Sequence, residues 1–127
     1  MSVSKVKGIL TLAKVNPVLV TKMSATEFDD VIVIEGGISS KQLGIVQTEK
    51  GLKAPKWFKD ITRKDGAKRL VISGVDTISK EEQEKFYEML KYKTISGIKL
   101  PQGTEIIVLA SDLKNVSETI LRLCVLA

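Results

Sequence analysis

The sequence predicts a layered α/β domain, a mostly parallel sheet flanked by helices. Three observations carry that prediction. Residues 31–34 (VIVI), 70–72 (LVI) and 105–110 (EIIVLA) are short and almost wholly apolar, as strands covered on both faces are. Ser79 followed by Glu82 forms a capping box. The hydroxyl satisfies a free N–H and the carboxylate reaches back to the cap. Phe86, Met89 and Leu90 then follow at helical spacing on a narrow apolar stripe. Strand, helix, loop and strand therefore succeed one another over residues 69–110, and the other segments read as layers around that unit.

The remaining elements follow in order. Val6, Ile9, Leu10 and Ala13 place a short amphipathic helix over residues 4–15, which Asn16-Pro17 ends because proline disfavours a helical residue before it. Residues 18–20 form a short strand. Residues 23–30 are polar, with room for one or two helical turns capped by Ser24. The β-branched run 31–34 is a buried strand broken by Gly36-Gly37. Residues 38–53 are irregular, with bends at Gly44 and Gly51. A short helix starts around Ala54-Pro55 and runs to Ile61, with Trp57 and Phe58 as core anchors. A charged turn surrounds Asp65-Gly66. Residues 94–103 form a loop containing Pro101. Asn115 or Ser117 caps a final helix with Ile120, Leu121 and Leu123, and residues 124–127 form a last strand.

Composition excludes several function classes. The 127 residues make one domain, 1–127, with 43% hydrophobic and 28% charged residues, an ordinary globular balance. The charge of +5 is small and reads as a solvated surface with a weak preference for acidic partners. A single cysteine forms no intrachain disulfide and fits a reducing, cytoplasmic setting. With no histidine, His-based catalysis and His-ligated metals are excluded, and lone Cys124 builds no zinc site. No apolar run approaches the roughly 18 residues of a membrane span. The apolar stretch near the N-terminus is interrupted by Lys14 and Asn16 and offers no cleavage site, so no signal peptide is expected.

The central stretch resembles the AAA+ ATPase core, especially its MoxR-type branch. The matching residues are 70–76 for the Walker B strand, the helix from Lys80, and Ser96-Gly97-Ile98-Lys99-Leu100-Pro101 for the family's "gGykLP" loop. Residues 106–112 match the sensor 1 strand. Ala54-Pro55-Lys56-Trp57 resembles the "PkW" segment before Walker B, and residues 116–122 resemble the helix ending in the arginine finger. The resemblance implies a truncated P-loop-NTPase-like fold and assembly through neighbouring subunits. One topological departure is visible. The family places a full helix between its first two strands, whereas here residues 21–30 must bridge them, and parallel crossovers usually need a dozen or more. The first strand is then antiparallel, or placed elsewhere in the sheet, or followed by a very short helix.

The family's chemistry is not matched. A P-loop needs glycines whose N–H groups face phosphate, a lysine to reach it and a Ser/Thr for Mg²⁺. Residues 21–30 contain no glycine. The nearest glycine-rich stretch, residues 35–42 (EGGISSKQ), has Glu35 and Ser40 where glycines belong and Gln42 after Lys41. It reads as a β-turn and helix cap, and as a phosphate cradle only secondarily, with Gly36, Gly37 and Lys41 as its contacts. The two Walker B acids align with Ser73 and Gly74, which removes metal positioning and water polarisation. Asp76 binds metal only if the alignment slips, and otherwise caps a turn. The sensor 1 polar residue aligns with Ser111 or Asp112, and an ionised Asp112 repels phosphate. Arg122 keeps the arginine-finger place, although a helix-end Arg also suits the helix dipole.

Three functional classes remain open. The leading expectation is a non-catalytic AAA+-like interaction or scaffold module, with no cofactor or metal, that docks to a protein partner or self-associates. The alternative is a nucleic-acid-binding module using Lys50, Lys53, Lys56, Lys59, Arg63, Lys64, Lys68 and Arg69, with Trp57 and Phe58 to stack on bases. Against it stand the interrupting acids Glu49, Asp60 and Asp65. The third is an enzyme of unrelated chemistry at the carboxyl ends of the strands, where Ser73, Asp76, Ser111 and Asp112 would share one shallow site. Glu81, Glu82, Glu84 and Glu88, beside Lys80, Lys85 and Lys91, read as a solvated, ion-paired helix face.

Overall fold

The computed structural model of the chain describes residues 2–13, 16–63, 65, 66 and 68–127, with only the backbone described for residues 11–13. The chain runs α1 (Val3–Ala13), β1 (Val18–Thr21), a 3-10 turn (Ala25–Glu27), β2 (Ile32–Glu35), α2 (Ser40–Leu43), β3 (Val46–Thr48), β4 (Gly51–Lys53) and α3 (Lys56–Thr62). It continues with β5 (Arg69–Ser73), α4 (Lys80–Gln83), α5 (Tyr87–Tyr92), β6 (Thr94–Ile95), β7 (Ile98–Lys99), β8 (Glu105–Ala110), α6 (Glu118–Leu123) and β9 (Val125–Leu126).

Five strands form one sheet in the order β2-β5-β8-β1-β9, and every neighbouring pair is parallel. Leu70 pairs with Ile106 and Val18 with Ile107, so the longest apolar run, that of β8, sits in the middle of the sheet between β5 and β1. Leu70, Val71, Ile72, Ile107 and Val108 are fully buried. Side chains alternate between faces. Leu70, Ile72, Ile106 and Val108 join Trp57, Ile61, Phe86, Met89 and Ile120 in the larger core beneath α3 to α6. Val71, Ile107 and Leu109 meet Val6, Leu10 and Phe28 in a smaller core on the opposite face. The layered α/β architecture expected from the sequence is therefore present, with a parallel sheet and helices on both faces.

Strand placement resolves the short link after β1. This strand is parallel, but it lies three positions from β2, next to β8 and β9. The lateral distance is roughly 14 Å at the usual strand spacing. Residues 22–31 cover it with one capped 3-10 turn and an extended approach, within the roughly 33 Å that ten residues span. Ser24 caps that turn, and Phe28 is buried beneath the crossing.

Four expectations need correcting. The run 31–34 reads as a buried strand, yet β2 is an edge strand and Val33 is 41% exposed. Residues 38–53 hold α2 and an antiparallel hairpin of β3 and β4. Residues 94–103 are not a plain loop, because β6 and β7 pair around Ser96-Gly97. The single helix expected from residue 80 is α4, a 3-10 turn (Glu84–Phe86) and α5. Ser79 accepts from the Glu82 N–H as expected, but the return bond from the Glu82 carboxylate to the Ser79 N–H is not made, so only half of the expected capping box forms. The helix expected over 4–15 is α1, and Lys14 and Val15 lie outside the described residues.

The break after α4 follows a buried polar bracket. Gln83 is fully buried. Its amide donates to the carbonyls of Ile78 (3.2 Å) and Asn115 (2.7 Å), and its oxygen accepts from the Ser117 N–H at 2.7 Å. One side chain thus ties α4 to the start of α6. We expect Gln83→Ala to lower stability by about 2–3 kcal/mol, because it strands buried backbone groups; the urea unfolding midpoint measures it.

Candidate functional site

The carboxyl ends of β5 and β8 meet at a carboxylate. Strand β5 ends at Ser73, Gly74 adopts φ 68°, and a 3-10 turn (Val75–Thr77) follows, closed by Thr77 donating to the Gly74 carbonyl at 2.6 Å. That turn aims Asp76 at the end of β8, where its Oδ2 accepts the N–H groups of Ser111 (3.1 Å) and Asp112 (3.0 Å). The Asp112 carboxylate accepts in turn from the Lys114 N–H at 2.9 Å. The structure therefore brings Asp76, Ser111 and Asp112 together, with Ser73 at the end of the adjoining strand. Both carboxylates are engaged with backbone donors. After β1, Glu27 Oε2 accepts the Ser24 N–H at 2.6 Å as part of the local capping box of the 3-10 turn. Among the described residues, no cluster of His, Cys, Asp or Glu side chains gathers in a way that would hold a metal ion.

The stretch that resembles a phosphate loop only weakly lies at the sheet edge. The Ile38 N–H donates to the Glu35 carbonyl at 3.0 Å, so residues 35–38 form a turn, and Ser39 caps α2 by accepting from the Gln42 N–H. Gly36 is packed on β5: its N–H donates to the Ser73 carbonyl at 2.7 Å, and a Cβ there would stand 2.7 Å from the Gly74 oxygen. Gly37 and Lys41 line a groove instead. Arg122 lies far from them in the sheet order, on the helix leading into β9, where it is exposed and 3.6 Å from Glu118.

That groove, of about 1030 Å³, runs along the outer edge of β2. Its opposite wall is built from α2, the β3–β4 hairpin and the start of α3, with Val46, Pro55 and Trp57 among the apolar contributors. The wall is anchored. The Trp57 indole N–H donates to the Leu43 carbonyl (3.1 Å), Ser96 Oγ accepts the Ile45 N–H (3.0 Å), and Lys85 Nζ donates to the Ile38 carbonyl.

The basic segment is dispersed. Lys68 Nζ donates to the carbonyls of Ile61 and Arg63, both at 2.7 Å, closing the end of α3. Arg69 pairs with Glu105 at 2.7 Å across neighbouring strands, and Lys56 pairs with Asp60 at 3.0 Å. Arg63 stands 4.0 Å from Asp65. Lys50, Lys53 and Lys59 are exposed, and Lys64 lies outside the described residues. Trp57 is 6% exposed and so offers no stacking face. Burial pushes the Cys124 thiol to about 12, which removes a thiolate nucleophile at neutral pH.

Sequence reasoning missed the clasp around Glu88. This carboxylate, read as part of a solvated face, accepts from the Thr94 hydroxyl (2.6 Å) and the N–H groups of Ser96 (3.1 Å) and Gly97 (2.8 Å). It holds the turn of the β6–β7 hairpin. Lys93 closes the hairpin base: its backbone carbonyl accepts the Leu100 N–H, and its Nζ donates to the buried Thr104 carbonyl at 2.6 Å. Burial lowers the Lys93 ammonium below the usual lysine range. The spacing from Glu88 to Ser96-Gly97 carries no local signal.

No protein-family model matches the chain, and none of the curated proteins matches it. Among the described residues, no helix is long and apolar enough to cross a membrane.

The Thr94 hydroxyl, then the Gly97 and Ser96 N–H groups, hold the Glu88 carboxyl below its ordinary value of 4.5. A lowered folded pKa adds stability that is present above the unfolded value and lost as pH falls through the folded one. We expect Glu88→Gln to cost about 1 kcal/mol at pH 7. The difference from the parent should shrink once the pH falls well below 4.5, as read from urea midpoints at the two pH values.

Proposed function

We propose that this domain is a catalytically inert, AAA+-like module that works by docking to other proteins. One observation carries the reading. At the carboxyl end of β8, beside that of β5 and in the region where open α/β sheets usually receive ligands, two backbone N–H groups are already occupied by the chain's own carboxylate: Asp76 sits on the Ser111 and Asp112 N–H groups. A phosphate approaching there meets negative charge in place of free donors.

Two further features support it. Ser73 and Gly74 stand where the Walker B acids would be, so nothing there positions a magnesium ion beside a γ-phosphate. The segments resembling Walker B and sensor 1, β5 and β8, are adjacent parallel strands, which supports reading them as that frame without its reactive groups. One oxygen of Asp76 and one of Asp112 are each tied to backbone N–H groups, which favours a structural role for these carboxylates over that of an unrelated active site.

Isothermal titration with ATP and Mg²⁺ tests the proposal. We expect no binding heat up to about 1 mM nucleotide, and micromolar binding would refute an inert strand end.

A further inference from the structure

The unpaired edge of β2 has the chemistry of a peptide-binding site. In a parallel ladder the backbone groups of successive residues point alternately to the two neighbours. The Gly36 N–H donates to the Ser73 carbonyl, which fixes the phase. Ile32 and Ile34 face β5, whereas Val33 and Glu35 face outward. The Glu35 carbonyl is taken by the Ile38 N–H. The N–H and carbonyl of Val33 and the N–H of Glu35 have no partner among the described residues and open into the groove.

Exposed edges are usually blunted by lysine, proline, a bulge or a cover. β2, reading IVIE, carries no lysine, proline or bulge and only one charge, Glu35 at its end, whereas β9 at the other edge has two residues. Its protection is to be recessed. The groove's opposite wall stands across from the edge and is fixed by the Trp57, Ser96 and Lys85 contacts, so the space exists without rearrangement. Its volume of about 1030 Å³ matches a ligand cleft.

We propose that this groove takes an extended acidic segment of a partner protein, which adds to β2 as a sixth strand of the sheet. This names the partner class of the docking module above and rests on that reading. Main-chain hydrogen bonds to Val33 and Glu35 supply affinity, and alternate side chains of the peptide supply specificity. Apolar residues fit between exposed Val33 and the Pro55 and Trp57 side of the groove. Acidic residues fit Lys41 and Lys53, which line the groove without an ion pair among the described residues; Lys56 is held by Asp60, and Glu35 is the remaining acid of the lining, so the acidic side chains belong on the lysine side of the groove, away from Glu35. A second copy of this chain is a poorer occupant. Its own β2 is recessed behind the same wall, and it brings the same lysines, whereas a lone peptide carries no wall and a complementary charge.

The probe is a fluorescein-labelled eight-residue peptide alternating valine or isoleucine with glutamate, read by anisotropy against the intact domain. We expect binding in the micromolar range, as short strand-adding peptides show, weakening with salt. V33P removes the outward N–H at an edge that tolerates proline, and should weaken binding about tenfold or more. K41E combined with K53E leaves the backbone untouched and should weaken it about fivefold. On saturation, the amides of Val33 and Glu35 should gain hydrogen-exchange protection.

Absence of binding, or binding that V33P and the double lysine variant leave unchanged, would overturn the proposal. So would equal affinity for a peptide with lysine in place of glutamate. Concentration-dependent dimerisation abolished by V33P would assign the edge to a second copy instead. None of these outcomes bears on nucleotide, so failure of the inert reading, detected by ATP titration, is separate.

Discussion

The complete burial of β5 and β8 is the constraint from which the rest of the molecule follows. Both strands are apolar on both faces, so each needs a layer above and a layer below. A single helix, α1, with Phe28 beneath the crossing covers one side. The other side takes α3, the broken α4–α5 arm and α6. Because the strands run parallel, every return path must cross a face of the sheet, and these crossings are what the two layers are made of.

The returning segments are held less by apolar stripes than by single polar side chains. Gln83 spans from α4 to the start of α6, Glu88 gathers the β6–β7 turn, and Lys93 closes its base. Arg69 and Glu105 brace the two central strands near their beginnings, and Asp76 braces them at their ends. Gln83, Glu88, Lys93 and Asp76 satisfy backbone donors or acceptors that short elements leave open, while Arg69 and Glu105 pair side chain to side chain. A domain built from helices of four to seven residues on its main layer depends on such contacts, since short helices satisfy few of their own backbone groups.

Legibility in the sequence divided along the same line. β8 was readable to the residue because EIIVLA is a continuous apolar run, and the caps at Ser24, Ser79 and Ser117 were readable because their signals lie within three residues. The β6–β7 hairpin was not, because its strands have two residues each and its stabilising carboxylate is on α5. Gln83 looked like an ordinary polar helix residue, and only the approach of Asn115 and Ser117 gives it a role. The place of β1 in the sheet was likewise hidden, since apolar runs do not specify their neighbours. Of the candidate sites, the convergence of Asp76 with Ser111 and Asp112 was foreseeable from strand ends, whereas the groove beside β2 depends on elements that gave no periodic signal.

The carboxylate of Asp76 also bears on what can reach the end of β8. A phosphate oxygen reaches the Ser111 and Asp112 amides only after that side chain has left. Removing that side chain leaves two donors vacant at the end of β8, so any anion that approaches these amides competes with one the chain itself supplies, at an effective concentration no free ion in solution matches.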